Sequence, residues 1–478
     1  MTRSPRATRR IRLVALLSAA TIGAACGLTA PTSTDPASTS PTASGPANRS
    51  PGGSATPSAA SGLFDGSTVH DISISFDQAA YEAMIQAYTL SAVKNWIQAT
   101  VTIDGKSYER VEIRLKGNSS LARLGGGGLG GGEDGLSKER PEALPWLVDL
   151  DRTVESQNHA GVVEFVVRSN DSATALNEAI ALELLERAGL ASQEAIAARF
   201  TVNGGKSALR LVIEHPDDVW MSRALSASGA LYKAESTGDY SYRGDDPEAY
   251  DEVFDQEAGK ANADLAPLID FLEFLNSAGD ATFAAEIAKR LDVAGFATYL
   301  AMQELLGNFD DIDGPGNNSY LYYDPASGRF TVVPWDHNLA LGAGGDLDLA
   351  PGPGGGQGGN VIAPRPGESS QPGPGRPFPP PAPRASFAPP HGGPLEGPRG
   401  GVVVGPHAEN VLSRRFLEID EHKKLLEERK AELKAQLFDS GVAAQILADW
   451  AELLRAQASD LVDGATIDTE VQRVADRL

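Results

Sequence analysis

Between Gly307 and Asn338 the chain reads GNFDDIDGPGNNSYLYYDPASGRFTVVPWDHN. Asp310, Asp311 and Asp313 crowd together, the adjacent Asn317 and Asn318 follow, and Gly314-Pro315-Gly316 between them dictates a loop. SYLYY is an aromatic strand, Ala326-Ser327-Gly328 turns the chain, and RFTVVP is a second strand closed by Trp335-Asp336. The segment before the loop, LDVAGFATYLAMQELLG, is apolar on nearly every helical turn, which marks a buried helix. An acidic loop is therefore pinned between a buried helix and a hairpin. Paired strands lie about 4.8 Å apart, so Asp336 is expected to return beside the Asn pair.

A turn uses one or two Asp or Asn side chains to satisfy its own backbone. Six exceed that need. Carboxylate and amide oxygens are hard ligands suited to Mg²⁺ or Mn²⁺, and an Asp left free of metal can orient or deprotonate a hydroxyl. A loop carboxylate, a downstream Asn and an Asp after a hairpin are the parts from which phosphoryl-transfer enzymes build a site for a nucleophile and Mg-ATP. A Ca²⁺ loop is the weaker metal reading. Asp311, Asp313 and Gly314 follow an EF-hand only in part, and no Glu closes the loop.

The N-terminus carries Arg3, Arg6, Arg9, Arg10 and Arg12, then the short apolar stretch Leu13 to Ala25, the form of a secretory signal. Cys26, the single cysteine of the sequence, follows it. Gly23-Ala24-Ala25-Cys26 resembles a bacterial lipoprotein cleavage box, so residues 1–26 are expected to be removed or lipidated at Cys26, with the chain anchored to the membrane through that lipid. Residues 27–66 are Ser, Thr, Pro, Ala and Gly and form a tether too poor in apolar groups to fold. The net charge of −23 argues against nucleic acid as a partner.

The folded region is expected over residues 67–478, with a Gly/Pro-rich excursion at 343–407. VHDISISFD alternates as a strand, QAAYEAMIQAY is helical, and the next two strands turn at Asp104-Gly105. PWLVDLDR and GVVEFVVRS are further strands. The stretch SNDSATALNEAIALELLERAGLAS is the most prominent helix, with a polar N-cap cluster at Ser169 to Ser172 and Gly189 as its stop. A second hairpin ends in LVIEH, ALYKAES is a strand, and residues 247–303 are mostly helical. The C-terminal part, from HAENVLSRRF onward, is charged helix. The fold class is α+β in two lobes, β-rich then α-rich.

Phosphate needs cations. Arg114 and Lys116 share one face of the strand IRLKGNSS by period-2 alternation, and Lys233 ends the apolar strand LYKAES. A solvated strand face and a snorkelling lysine account for them equally well. Glu183, on the prominent helix, is a candidate ion-pair partner for a lysine. The histidines show no zinc spacing, and neither a nucleophile elbow nor a Walker A motif occurs.

Taken together, IRLKGNSS, NDSATALNEAIALELLERAGLAS, LVIEHPDD, LYKAES, the Gly307–Asn338 stretch and ENVLSRRF resemble the spore-coat-protein-H (CotH) kinase family, in family order over roughly residues 68–430. The resemblance implies an atypical protein-kinase-like fold and ATP-dependent phosphorylation of protein Ser or Thr with Mg²⁺ or Mn²⁺, outside the cytoplasm. It implies Asp310 as the catalytic Asp, Asn318 (or Asn317) and Asp336 as metal ligands, and Arg114, Lys116 and Lys233 as nucleotide contacts. Lys138 is a third candidate for the ATP-facing lysine. His337-Asn338 stands where relatives often carry a second acidic residue. Two other readings stay open. One is a non-catalytic surface protein on the same fold, docking partners through FPPPAPRASFAPP. The other is a calcium-stabilised adhesin.

Overall fold

The computed structural model describes residues 62–117, 121, 124, 136–235, 239–313, 318–343 and 410–478. The chain divides at residues 56 and 57, and every described residue belongs to the second unit, Pro57–Leu478. Cys26, Asn317 and the excursion at 343–407 beyond its first residue lie outside the described residues.

Seven strands close into a barrel: β1 (His70–Phe76), β2 (Ile97–Ile103), β3 (Lys106–Leu115), β4 (Trp146–Asp149), β5 (Glu164–Val167), β6 (Ala195–Val202) and β7 (Ala208–Glu214). Their order is β1-β2-β3-β4-β5-β7-β6, and β1 closes on β6 in parallel while the other pairs are antiparallel. The β2–β3 turn sits at Asp104-Gly105, both at positive φ (48° and 81°), as the two-residue hairpin signal requires.

Strand alternation sorts the side chains into two cores. Ile113, Leu115, Val148, Phe165, Val167 and Val212 point inward and are fully buried. Helix α1 (Gln78–Ser91), capped by Asp77 through the Ala80 N–H, adds Tyr81, Met84 and Ile85 to the same cluster. Leu63 and Phe64 also belong to it, so the last residues assigned to the tether from the sequence are part of the fold. Each such buried side chain contributes about 1.5–3 kcal/mol.

The other parity, Leu147, Val166, Leu211 and Ile213, faces outward into a second core shared with α2 (Leu176–Arg187). That helix starts later than the polar residues suggest. Its N-cap is Ala175 without a side-chain bond; within the polar cluster Asn170 and Asp171 are engaged by tertiary partners, and Ser172 caps the Ala175 N–H, just ahead of the helix. Asn170 accepts from the Leu211 N–H, Asp171 accepts from Asn338, and Glu470 accepts from the Ala173 and Thr174 N–H groups.

After the short α3 (Asp218–Ala224), a four-stranded antiparallel sheet runs in the order β11-β10-β8-β9, comprising β8 (Ala230–Ala234), β9 (Phe254–Ala258), β10 (Ser319–Asp324) and β11 (Arg329–Pro334). β9 falls inside the stretch expected to be helical. Its sequence, FDQEA, carries neither alternation nor β-branched residues, and pairing with β8 imposes the strand. Helices α4 (Ala266–Ser277), α5 (Asp280–Arg290) and α6 (Val293–Leu306) separate β9 from β10. The chain ends in α7 (Val411–Leu417), α8 (Asp420–Leu433) with a π-helical turn after it, α9 (Val442–Gln457) and α10 (Gly464–Ala475). The class is α+β, with strands also in the C-terminal half and a closed barrel that the sequence did not reveal. No helix among the described residues is long and apolar enough to cross a membrane.

Candidate functional site

The outer wall of the barrel meets the four-stranded sheet, and charged side chains gather at that junction. The parity that sends Val166 and Ile213 outward also sends Arg114, Glu164, Arg168 and His215 outward. Lys116 follows β3, its backbone N–H held by the Pro145 carbonyl at 3.1 Å. Its ammonium donates to His215 Nε2 at 3.0 Å and stands 5.7 Å from the Trp335 ring centre. His215 Nδ1 is 2.7 Å from Glu164 Oε2.

From the facing sheet come Lys233, Glu235, Glu257, Tyr320 and Asp336. Lys233 on β8 lies opposite Tyr320 on β10, and its Nζ stands 5.6 Å over the Tyr320 ring while donating to the Ala234 carbonyl at 2.7 Å. Burial pushes the Lys233 ammonium down to about 8, with Lys116 acting the same way and Glu235, Asp336 and Glu257 opposing. Burial also lowers Lys116, against Glu257, Glu164 and Glu235. For Glu257, burial is outweighed by the cations around it, Lys116 first and then Lys260 and Arg114, which hold its carboxyl below the usual range. The Tyr320 hydroxyl is buried with no hydrogen-bond partner among the described residues.

Asp336 follows β11 at φ 62°, a left-handed conformation that Asp tolerates. Its carboxylate pairs with Arg168, whose other contacts go to Glu178 on α2 at 2.8 and 2.9 Å. Burial raises the Asp336 carboxyl, but Arg168 outweighs it and holds the group ionised. In Glu178, which is almost wholly buried, burial prevails and raises the carboxyl.

The acidic loop joins this site through a hydrogen-bonded chain. His337 Nε2 meets the Gln303 side chain at 3.1 Å, and Asn308 donates to Gln303 Oε1 at 2.8 Å. Burial drives His337 down to about 4, so its ring is neutral. Asn308 is two residues before Asp310. Asn318 donates to the Asp310 carbonyl at 2.8 Å and to its carboxylate Oδ2 at 2.9 Å. Asp311 is buried and accepts from the Asp313 N–H at 3.1 Å, so this carboxylate serves the turn itself. The β10–β11 register pairs Ser319 with Pro334, which sets Asn318 one step beyond, level with Trp335.

Some expected residues are elsewhere. Glu183 pairs with Arg187 along the helix surface at 2.9 Å, and the buried carboxylate of α2 is Glu178, whose partner is an arginine. Lys138 is exposed beside Glu139, apart from the other lysines. Arg114 stays at the junction, near enough to act on Lys116, His215 and Glu257, while its guanidinium stacks on Trp96 at 4.9 Å, with Arg152 also on that ring at 4.3 Å. The sequence reading missed Lys94, which is lowered to about 8 by burial and by Lys116 and Arg114. It also missed Arg168, His215 and Glu257. The adjacent Glu-His in LVIEH, opposite in strand parity, was the available signal for His215.

No three His, Cys, Asp or Glu side chains among the described residues are grouped to hold a metal unaided. Mg²⁺ ordinarily takes one or two carboxylates and completes its shell with water and phosphate oxygens. Ionised Asp336, paired with Arg168 through Oδ1, and the Asn318–Asp310 pair are hard donors that fit this demand in kind.

A sequence model of the CotH kinase protein family matches residues 113–465, a span that contains every residue of this site except Lys94. The chain is also 25% identical over 168 residues to inner spore coat protein H of Bacillus subtilis (strain 168), a match covering 34% of this chain and 45% of that protein. The chain thus spans less than half the length of the curated relative it matches.

Proposed function

The chain belongs to the CotH kinase protein family, and on that footing we propose that it is a protein kinase-like enzyme acting outside the cytoplasm. It transfers the γ-phosphate of ATP to a protein Ser or Thr with Mg²⁺ or Mn²⁺. The barrel and the four-stranded sheet with its helices form the two halves of an atypical kinase-like fold. The single observation that carries this reading is the convergence of Lys116, over Trp335, and Lys233, over Tyr320, with Asp336 at one junction.

In this reading Lys116 and Lys233 contact phosphate oxygens, and the unpartnered Tyr320 hydroxyl has a donor to offer beside them. Asp336 and Asn318 hold the metal, which neutralises phosphate charge when bound. Asp310, steadied by Asn318, orients the attacking hydroxyl. The hydroxyl oxygen bonds to the γ-phosphorus, the bond from that phosphorus to the bridging oxygen breaks, and ADP departs with that electron pair. The hydroxyl proton passes to Asp310. Cys26 supplies a lipid anchor to the membrane, and the name of the Bacillus relative is consistent with a surface location.

The test is incubation with γ-labelled ATP, Mg²⁺ or Mn²⁺ and casein as a generic Ser/Thr acceptor. Label on Ser or Thr that is lost in Asp310→Asn supports the reading. No label, or label that survives the substitution, overturns it. A second reading has its own observation: Asp336 is already engaged by Arg168. A retired kinase scaffold that only binds partners accounts for that pairing, and it predicts no transfer under any metal.

A further inference from the structure

Lys116 has an unusual partner for a lysine at a phosphate site. Its N–H points to a histidine nitrogen, and that histidine is backed by Glu164. An ammonium has donors only, and an ionised carboxylate accepts only. One arrangement suits both contacts: the Nε2 lone pair accepts from Lys116, which leaves the ring proton on Nδ1, and that nitrogen lies 2.7 Å from Glu164 Oε2 but outside hydrogen-bond geometry. An imidazolium would set two donors against each other at 3.0 Å. The ring is almost wholly buried and edge-on to Trp335, 6.3 Å between centres, so it is fixed in place. Lys116 lies over the same Trp335, the neighbour of Asp336.

We propose that Glu164 and His215 are positioning residues for Lys116: the charge of Glu164 beside Nδ1 favours the tautomer protonated there, and His215 holds the ammonium at the nucleotide site as a neutral acceptor. The proposal rests on the proposed function for its purpose, phosphate binding. A carboxylate in direct contact would compensate the lysine's charge. A neutral imidazole takes one of three N–H groups and leaves the positive charge available to phosphate. The surrounding charges agree with a neutral ring. Burial, Lys116, Arg114 and Lys260 all disfavour imidazolium, with Glu257 opposing.

Two experiments on the full chain decide it. The first is a nitrogen–proton NMR spectrum of the histidine side chains without nucleotide, with His215 identified by its loss in His215→Gln. The expected result is a neutral ring with the proton on Nδ1 from pH 6 to pH 8, roughly the range in which a free histidine changes charge. A proton on Nε2, or an imidazolium, overturns the proposal. The second compares ATP kinetics in His215→Phe, which has no acceptor, and His215→Gln, whose amide oxygen can accept. The phenylalanine variant is expected to raise KM for ATP about tenfold or more with kcat little changed, because an acceptor to a charged donor is lost. Glutamine is expected to restore part of that loss. Equal KM in all three proteins overturns the proposal. Absence of any ATP-dependent activity in the wild type would count against the proposed function, while the tautomer measurement still decides the role of His215.

Discussion

Arg168 holds the carboxylate of Asp336, joining the end of a barrel strand to the end of the β10–β11 hairpin. The same guanidinium holds Glu178, so one cation is buried between two carboxylates. Removing it leaves both without compensation. Arg168→Met is expected to cost about 3–5 kcal/mol in urea unfolding. Adding Glu178→Leu should recover part of the loss, since an apolar replacement needs no partner. Equal stability of Arg168→Met and wild type would refute the structural role.

Asn318 steadies Asp310 by two hydrogen bonds from one amide. Asn318→Ala is expected to lower kcat for phosphate transfer by about tenfold or more, on the scale of one lost hydrogen bond to a charged group. Some weakening of metal dependence should accompany it. A variant with wild-type kcat at saturating metal would remove Asn318 from the site.

Lys233 gives a pH signature. Its folded pKa is lowered to about 8, so it is charged below that value and neutral above it. If it contacts phosphate, kcat/KM for ATP falls as pH rises through about 8, because this ratio reports the free enzyme. Lys233→Arg keeps its charge throughout and should flatten that limb. A limb unchanged in the arginine variant would assign it to another group, with Lys94 the next candidate.

Glu470 of α10 accepts the Ala173 and Thr174 N–H groups at 2.9 Å each, and it also accepts from the Thr174 hydroxyl. Glu470→Ala strands buried donors just before α2. The expected loss is about 1–3 kcal/mol, with faster amide exchange at residues 173 and 174 than in the wild type. Unchanged exchange there would show that α10 does not hold this segment.

Local signals in the sequence carried well where local chemistry decides the structure. The Asp104-Gly105 turn, the strand alternation of β1 and the β10–β11 hairpin could all be read, because two positive-φ residues and period-2 patterning leave few alternatives. β9 could not, since FDQEA becomes a strand only through its pairing with β8, and Glu257 was hidden with it. Barrel closure depends on β1 meeting β6 over a hundred residues away, a contact with no local trace. At the site, the acidic loop was visible as an excess of Asp and Asn. Its wiring through Gln303 and His337, and the charge triad at Arg168, exist only after packing. The polar cluster at Ser169–Ser172 misled in part for the same reason, since distant partners claimed Asn170 and Asp171, and Ser172 is spent on the Ala175 N–H before the helix begins.

The proposed nucleotide–metal site is built on Asp336. Thermal unfolding of the full chain with ATP and Mg²⁺ or Mn²⁺, in wild type and Asp336→Asn, tests it most directly. A ligand confined to the folded state adds about 2.7 kcal/mol at a hundred times its dissociation constant. The expected result is a rise in melting temperature that requires nucleotide and metal together and is lost in the variant. A wild type indifferent to ATP and metal, or an Asp336→Asn protein stabilised as much as the wild type, would contradict it.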